Sequence, residues 1–207
     1  MIKDFSCEFK QGHLFFKQSL VEGNKVITID GKSYEVIFDN DTNNMNYLLS
    51  YVHVIKINID KTSSKNDLNC VCNNEYYKNM CKTKCKFGSK HNVFSADEPG
   101  EDGKIVQCIY RLSKMKNIEL IIDNYRYSTV FKKKTPNVRL FSKKLNKRIV
   151  VDRYQFLLIS TDEDGQLYYL LVLDRLMDNG KEYFYFVTGY PVTDEKFIKK
   201  CILEFEQ

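Results

Sequence analysis

Several residue types are scarce in this chain of 207 residues, and their scarcity limits the chemistry it can perform. There is no tryptophan, and there are only three prolines and three histidines. All three histidines precede residue 92, so a site in the C-terminal half would work without imidazole. No phosphate-binding glycine loop, pair of metal-binding carboxylates, Gly-x-Ser-x-Gly elbow or His-Glu-x-x-His motif occurs. The familiar enzyme classes therefore lack support, and we expect His13 and His53 to be ordinary strand residues.

Long apolar stretches are absent as well. No run approaches the roughly 18 to 20 residues that a membrane-spanning helix requires. The first residues also lack the basic and apolar regions of a secretory signal. We therefore expect a soluble, cytoplasmic protein with no membrane partner. The abundance of Lys, Asn, Ile and Tyr is typical of an AT-rich bacterial or phage genome.

Cysteine is present in an odd number, seven, and four of the seven lie close together. Such usage indicates a reducing compartment with thiols or a metal rather than a disulfide scaffold. Cys70, Cys72, Cys81 and Cys85, with His91 nearby, offer the soft donors that a tetrahedral zinc prefers. We expect a structural zinc here, with redox-active thiols or incidental free thiols as the alternatives. The cysteines in apolar contexts are expected to be small buried residues: Cys7, Cys108 and Cys201.

Positive charge is concentrated in residues 124–151, which contain nine Lys and Arg and no acidic residue. The other 23 of the 32 Lys and Arg are outnumbered by 27 Asp and Glu, so this segment accounts for the net charge of +5. Clustered cations attract a polyanion and release its condensed counterions, which indicates nucleic acid. A solvated face is the alternative. The candidate nucleic-acid-binding residues are Arg111, Lys132, Lys133, Lys134, Lys143, Lys144 and Lys147.

Aromatic residues lie within the same basic segment. They could stack on bases, or they could be core residues of the adjoining strands. These residues are Tyr125, Tyr127, Phe131 and Phe141.

The pattern of the chain predicts an α+β fold in three parts. Residues 1–60 predict a β-rich N-terminal domain with a hairpin at Asp30-Gly31. Residues 61–103 predict a polar linker and a cysteine-bearing insert. Residues 104–207 predict one long or two abutting amphipathic helices, an antiparallel meander and a short closing helix after Thr193. The strands predicted in the first part are His13–Phe16, Lys25–Ile29, Ser33–Phe38 and Tyr51–Ile59.

The order of elements in the C-terminal half resembles that of a known nuclease group. Arg111 precedes the Ile-rich helix Ile118–Asn124, Arg148 and Arg153 lie on a basic, aromatic strand, and Thr188-Gly189-Tyr190-Pro191 ends the last strand. This pattern resembles the phage-associated nucleases grouped with barnase, EndoU, colicin-type and RelE-like RNases. The resemblance covers about half of the chain.

The resemblance implies a metal-independent endoribonuclease, toxin-like or phage-encoded, that activates the ribose 2′-hydroxyl. On this reading cations contact the phosphate, with Lys147 assisting, and Thr188 and Tyr190 position the RNA. Tyr154 or Tyr190 would transfer a proton if its neighbours lowered its pKa. The candidate catalytic residues are Arg139, Arg148, Arg153, Tyr154, Thr188 and Tyr190.

Two other functions remain open. One is a non-catalytic nucleic-acid-binding module of a mobile element, with the cysteine segment as a zinc-stapled wing. The other is a phage factor or inhibitor that binds a host protein through aromatic surface residues. The sequence does not fix the oligomeric state.

Overall fold

A six-stranded sheet with helices on both faces forms the framework of the protein. The structure is a computed structural model, and it describes residues 6–42, 46–58, 105–107, 109–124, 130–142, 147–162, 165–192 and 195–205. The architecture is α+β, as the sequence predicted.

The N-terminal part combines helices with one hairpin. Helix α1 continues into a π-helical turn, and α2 leads directly into a short strand. The bounds are α1 Ser6–Phe15, the π-helical turn Phe16–Val21, β1 Val26–Ile29, β2 Lys32–Ile37, α2 Leu49–Ile55 and β3 Lys56–Asn58. The predicted hairpin is confirmed, because Asp30 (φ 51°) and Gly31 (φ 81°) both adopt the left-handed conformation that a tight two-residue turn requires.

Two strand predictions in this part are wrong. His13–Phe16 lies in a helix, and the first five residues of Tyr51–Ile59 belong to α2. Short aromatic and β-branched runs do not distinguish a strand from a helix buried on several sides. Helix α2 is such a case, because Tyr51, Val52, Val54 and Ile55 are all buried.

Cys7 is also exposed rather than buried, contrary to the prediction. Helix α1 directs Phe9 to the core, and Phe16 continues the same face two turns later. A residue two positions before Phe9 is rotated by about 200° and points away from that face. Cys201 is buried as predicted, and Cys108 lies outside the described residues.

The central part contains two abutting helices, as predicted. They follow strand β4, Ile105–Gln107, which pairs with β3 as a separate two-stranded sheet. The helices are α3 Ile109–Lys114 and α4 Asn117–Asn124. The Asn117 side chain donates a hydrogen bond to the Lys114 carbonyl at 2.7 Å, which ties the two helices together at their junction.

The predicted meander and closing helix are confirmed. The elements are β5 Val130–Ser142, β6 Lys147–Asp162, β7 Gly165–Asp178, β8 Lys181–Pro191 and α5 Glu195–Glu204. The strand order is β1-β2-β8-β7-β6-β5, and every pair is antiparallel except β2 with β8. Asn179 and Gly180 form a left-handed turn between β7 and β8 like that of the first hairpin.

The two faces of this sheet bury different cores. The first face carries Tyr154, Phe156 and Phe184, which pack with residues of α1, α2 and α4. The second face carries Leu157 and Leu170, which pack with α5. Strand β5 and the β1–β2 hairpin lie at opposite ends of the strand order, yet Lys132 on β5 contacts Asp30 in the hairpin, with an Nζ–Oδ1 distance of 2.9 Å. The sheet therefore curls around the first core.

Candidate nucleic-acid interface

Strands β5 and β6 continue past the sheet as a two-stranded ribbon, defined here as residues 138–142 and 147–151. Its pairs run from Val138 with Val151 to Ser142 with Lys147. Strand β7 begins to pair with β6 only at Asp152. The five ribbon pairs span roughly 13 Å at the usual rise per residue, and within the described strands they have no further strand neighbour.

The outward face of the ribbon is basic and exposed. It carries Arg139 directly opposite Val150, and Phe141 directly opposite Arg148. Both arginines are exposed, and Phe141 and Val150 are each 60% exposed. Because residues paired across two strands point to the same side, these four side chains form a checkerboard of two cations and two apolar groups.

The inward face of the ribbon is apolar. It carries Val138, Leu140 and Ile149, which are half-buried, and Val151, which is buried. The alternation of the two strands therefore directs the arginines outward and the aliphatic residues inward. The sequence determines which side of the ribbon faces outward, because a shift of the strand pairing by one residue would expose the aliphatic side chains.

A β-bulge forms the base of the ribbon. The pairing shifts between Thr135 and Val138, so Pro136 and Asn137 have no partners on β6. Asn137 adopts a left-handed conformation with φ 56°. Proline suits this position because it lacks the N–H that a ladder bond needs. A bulge bends its strand and increases the local twist, so here it directs the ribbon away from the sheet.

A row of five charged side chains crosses the sheet beside the bulge, and we call it the charge ladder. Arg175 donates to Asp152 at 2.6 Å and lies 3.8 Å from Glu182. Lys134 lies 3.0 Å from the same Asp152 oxygen. Lys32 pairs with Glu182 and completes the row. In strand order from β2 to β5, the ladder is Lys32, Glu182, Arg175, Asp152 and Lys134.

The charge ladder keeps its members ionised. The hydrogen bond from Lys134 lowers the pKa of Asp152, and the backbone N–H of Asn137 and the Arg175 guanidinium lower it further. The same bond raises the pKa of Lys134. Asp152 therefore remains an anion at neutral pH, and it links the bulge to the lysine and the arginine beside it.

Three described cations of the basic segment are paired within the fold. Lys132 pairs with Asp30, Lys133 with Glu204 and Lys134 with Asp152. Arg139, Lys147 and Arg148 differ, because they are exposed and no described carboxylate lies within ion-pairing distance of them. Lys143 and Lys144 lie outside the described residues.

Arg153 is also paired within the fold. Its Nε and Nη2 donate to the two carboxylate oxygens of Asp174 at 2.7 Å and 2.9 Å. Asp174 is 4% exposed, and its hydrogen bonds raise the pKa of the arginine. The pair lies on the second face of the sheet, directly across strands β6 and β7.

The six candidate catalytic residues are divided between the two faces of the sheet. Those on the first face are Arg139, Arg148 and Tyr154, and those on the second face are Arg153, Thr188 and Tyr190. Tyr154 is 5% exposed and packs against Phe156 and Phe184 in the first core. The structure brings Arg139 and Arg148 together and separates them from the other four.

Tyr190 and Arg111 contact each other. The Arg111 guanidinium lies over the Tyr190 ring, 5.3 Å from its centre. Burial raises the pKa of Tyr190, and the nearby Arg111 opposes that rise only in part. The proton-transfer role predicted for Tyr190 required a lowered pKa, whereas the pKa of its hydroxyl is raised. It stays protonated at neutral pH.

The predicted metal ligands Cys70, Cys72, Cys81 and Cys85 lie outside the described residues, and so does His91 near them. Within the described ranges, no three His, Cys, Asp or Glu side chains are grouped so that they could hold a metal ion. Tyr125 and Tyr127 also lie outside them. Phe131 packs beside the second core, whereas Phe141 is exposed.

Comparisons with known proteins give no relative for this chain. No family model matches it, no curated protein matches it, and no solved structure matches it. The nuclease resemblance therefore remains a prediction. In the described part of the chain, no helix has the length and apolar character needed to cross a membrane.

Sequence reasoning did not identify three residues that shape this surface: Val150, Asp152 and Arg175. A signal for the first two was present, since Arg148, Val150, Asp152 and Tyr154 alternate along one strand and therefore share a face. Arg175 is 23 residues from Asp152 in the chain, so its part in the charge ladder depends on strand pairing.

Proposed function

We propose that the protein binds nucleic acid through the outward face of the ribbon. One observation carries the proposal: Arg139 and Arg148 on this face are exposed and lack described carboxylate partners, whereas Lys132, Lys133 and Lys134 are neutralised by acidic residues of other elements. Lys147, at the first position of β6 and on the other face of the ribbon, is also exposed and lacks a described carboxylate partner. Among the described cations of residues 124–151, the unpaired positive charge is therefore concentrated on the ribbon.

Unpaired cations contribute most of the electrostatic attraction to a polyanion. A lysine already bonded to a carboxylate adds little net attraction, whereas an unpaired arginine neutralises a phosphate and releases its counterions. Arginine also offers several donors in a fixed geometry that suits phosphate. Lys143 and Lys144 connect the two ribbon strands in the sequence, and no acidic residue lies anywhere in residues 124–151. The sequence and the ribbon geometry thus support the same surface.

The shape of the ribbon is compatible with nucleic acid. Two-stranded ribbons enter the major groove of duplex DNA, which is about 12 Å wide. The bulge at Pro136-Asn137 and the bonds to Asp152 hold this ribbon in place before binding, which reduces the entropy lost on association.

Endoribonuclease activity is our second proposal, and its support is that Arg139 and Arg148 are diagonal neighbours on one exposed face. Two such cations would stabilise a phosphorane-like transition state. Cleavage also needs a group that accepts the proton of the 2′-hydroxyl. Tyr154 is buried in the first core and the pKa of Tyr190 is raised, so neither tyrosine supplies that group in this arrangement.

Fluorescence anisotropy with labelled single-stranded RNA, single-stranded DNA and duplex DNA tests the binding proposal. We expect Arg139→Gln/Arg148→Gln to weaken binding and to reduce the salt dependence of log K by about two phosphate contacts, each worth a slope of about 0.7 to 0.9. Lys196→Gln/Lys199→Gln is the matched control, because it removes the same charge from exposed positions on α5. Equal losses from both double variants would refute a specific role of the ribbon.

The same reactions, run with chelator and followed by gel electrophoresis, test cleavage. RNA that stays intact while bound removes the nuclease proposal and leaves binding. RNA degraded equally by wild type and Arg139→Gln/Arg148→Gln indicates a contaminant.

The structural zinc remains a proposal of its own. Metal analysis of protein purified without chelator tests it, and a metal content near zero would remove it.

A further inference from the structure

Phe141 is the unusual member of the outward face. It is a large aromatic side chain, 60% exposed, and no described ring lies in contact with it. Phe131, on the same strand, packs beside the second core, and Phe156 is fully buried in the first. The fold thus buries Tyr154 and Phe156, packs Phe131 partly against the second core, and leaves Phe141 exposed.

The neighbours of Phe141 are cations. Arg148 lies directly opposite on β6, and Arg139 lies two residues earlier on the same side of β5. Directly paired side chains in a sheet have Cβ atoms about 5 Å apart, and next-but-one residues on a strand are about 7 Å apart. Phe141 therefore has two arginines as its nearest neighbours on this face, at Cβ spacings comparable to the size of a single nucleotide.

A base can stack on this ring only when its own flat face is free. In a duplex both faces of each base are covered by adjacent base pairs, whereas in a single strand they are accessible. Aromatic platforms flanked by cations are the common means of binding single-stranded nucleic acid without sequence preference. The checkerboard of Arg139, Phe141, Arg148 and Val150 has this composition.

We propose that the ribbon binds single-stranded nucleic acid, with a base stacked on Phe141 and adjacent phosphates held by Arg139 and Arg148. The proposal rests on the nucleic-acid binding proposed above and specifies its substrate class. The test uses both RNA and DNA single strands, because both present the same stacking faces and phosphates, and compares them with duplex.

Substitution of Phe141 separates stacking from charge. Phe141→Leu keeps an apolar side chain but removes the aromatic face, and the exposed position leaves the core untouched. We expect single-stranded oligonucleotides to bind about ten-fold more weakly, which is within the range of losses known for removal of one stacking residue. The salt dependence and the weaker duplex binding should stay unchanged, since no cation is lost.

The absence of tryptophan from the chain allows a direct spectroscopic test. Phe141→Trp introduces a single indole at the proposed stacking position, and we expect its fluorescence to be quenched by an unlabelled single-stranded oligonucleotide. Leu203→Trp is the matched control, because Leu203 is 86% exposed on α5, on the opposite side of the sheet. Its fluorescence should not respond.

The outcomes distinguish this inference from the function on which it rests. If Arg139→Gln/Arg148→Gln weakens binding but Phe141→Leu does not, and the indole of Phe141→Trp is not quenched, stacking is refuted and ribbon binding stands. If neither variant weakens binding, both proposals fail. Tighter binding of the wild type to duplex than to single strands also refutes the inference.

Discussion

The backbone N–H of Asn137 donates a hydrogen bond to the Asp152 carboxylate at 3.3 Å, where β5 leaves the sheet. Arg175 and Lys134 both contact the other oxygen of the same carboxylate. One aspartate therefore connects the bulge that directs the ribbon to the charge ladder that crosses the sheet. The position of Arg139 and Arg148 in space depends on this junction.

Removing the Asp152 carboxylate should destabilise the protein. Asp152→Ala leaves Lys134 and Arg175 facing each other without their shared anion, and it frees the Asn137 N–H. We expect the free energy of unfolding, measured with urea, to fall by about 1–3 kcal/mol. Asp30→Asn is the control, because Asn tolerates the left-handed backbone of the turn, and Asp30 is 77% exposed and pairs with a single lysine, so loss of its charge should cost less than about 1 kcal/mol. Equal costs would contradict the role given to Asp152.

The Arg153–Asp174 pair should be needed for stability whether or not it has a function. Arg153→Ala leaves a carboxylate that is 4% exposed without its bidentate partner, so we expect a loss of about 3–5 kcal/mol in thermal or urea unfolding. The double variant Arg153→Met/Asp174→Leu removes both charges and should cost less than the single change. A double variant that is as unstable as Arg153→Ala would contradict this account. Any loss of activity in Arg153→Ala must therefore be compared with its loss of folded protein.

Stability should fall in mild acid through His13. The ring Nε2 accepts a hydrogen bond from the Leu48 N–H at 3.1 Å, and the ring packs against Tyr47 and Tyr51. Burial, and secondarily Lys17, lower the pKa of His13. The unfolded chain therefore takes up the proton first, and the free energy of unfolding decreases as the pH falls below about 6.5.

Glutamine at position 13 tests this pH dependence, because it does not titrate. Urea unfolding at several pH values between about 7.5 and 5 should show wild type losing stability relative to His13→Gln as the pH falls. His53→Gln, at an exposed position of α2, is the control for the other described histidine. A constant difference between wild type and His13→Gln across this range would show that the ring is not the source.

The hydroxyl of Tyr169 should be dispensable. It is fully buried and has no hydrogen-bond partner among the residues that the structure describes, and burial raises its pKa far above the ordinary value. An unsatisfied buried hydroxyl costs free energy, so Tyr169→Phe is expected to leave the melting temperature unchanged or to raise the free energy of unfolding by up to about 1 kcal/mol. Tyr51→Phe is the matched control, because the Tyr51 hydroxyl donates to the Phe9 carbonyl at 2.7 Å and its removal should destabilise. A destabilised Tyr169→Phe would reveal a partner for the hydroxyl.

The sequence predicted the elements that depend on local signals. Asp30-Gly31 and Asn179-Gly180 mark tight turns because Asp, Asn and Gly tolerate the left-handed backbone that the turns require. The helix after Thr193 was predictable from its acidic first turn and apolar spacing. Helix α2 was not, because its aromatic and β-branched residues meet the core on several sides, and this removes the period that identifies a helix. Helix α1 was not, because Phe9 is the one buried residue among its described side chains and gives no apolar period.

The candidate site was predicted in part. The concentration of cations was visible in the sequence, but which of them remain unpaired was not, because Lys132 meets Asp30 across 102 positions and Lys133 meets Glu204 across 71. The separation of Arg148 from Arg153 could have been predicted. Their spacing is an odd number of residues within one strand, which places them on opposite faces.

The ribbon presents two unpaired backbone edges, since β5 within it pairs only with β6 and the described strands offer β6 no other neighbour there. Such edges invite association with identical chains, and proteins commonly prevent this with charge and proline. Arg139 and Arg148 lie on these strands and Pro136 lies in the bulge at their base, so charge repulsion between copies should oppose edge-to-edge pairing. A bound polyanion would cancel that repulsion and bring neighbouring copies close along one strand.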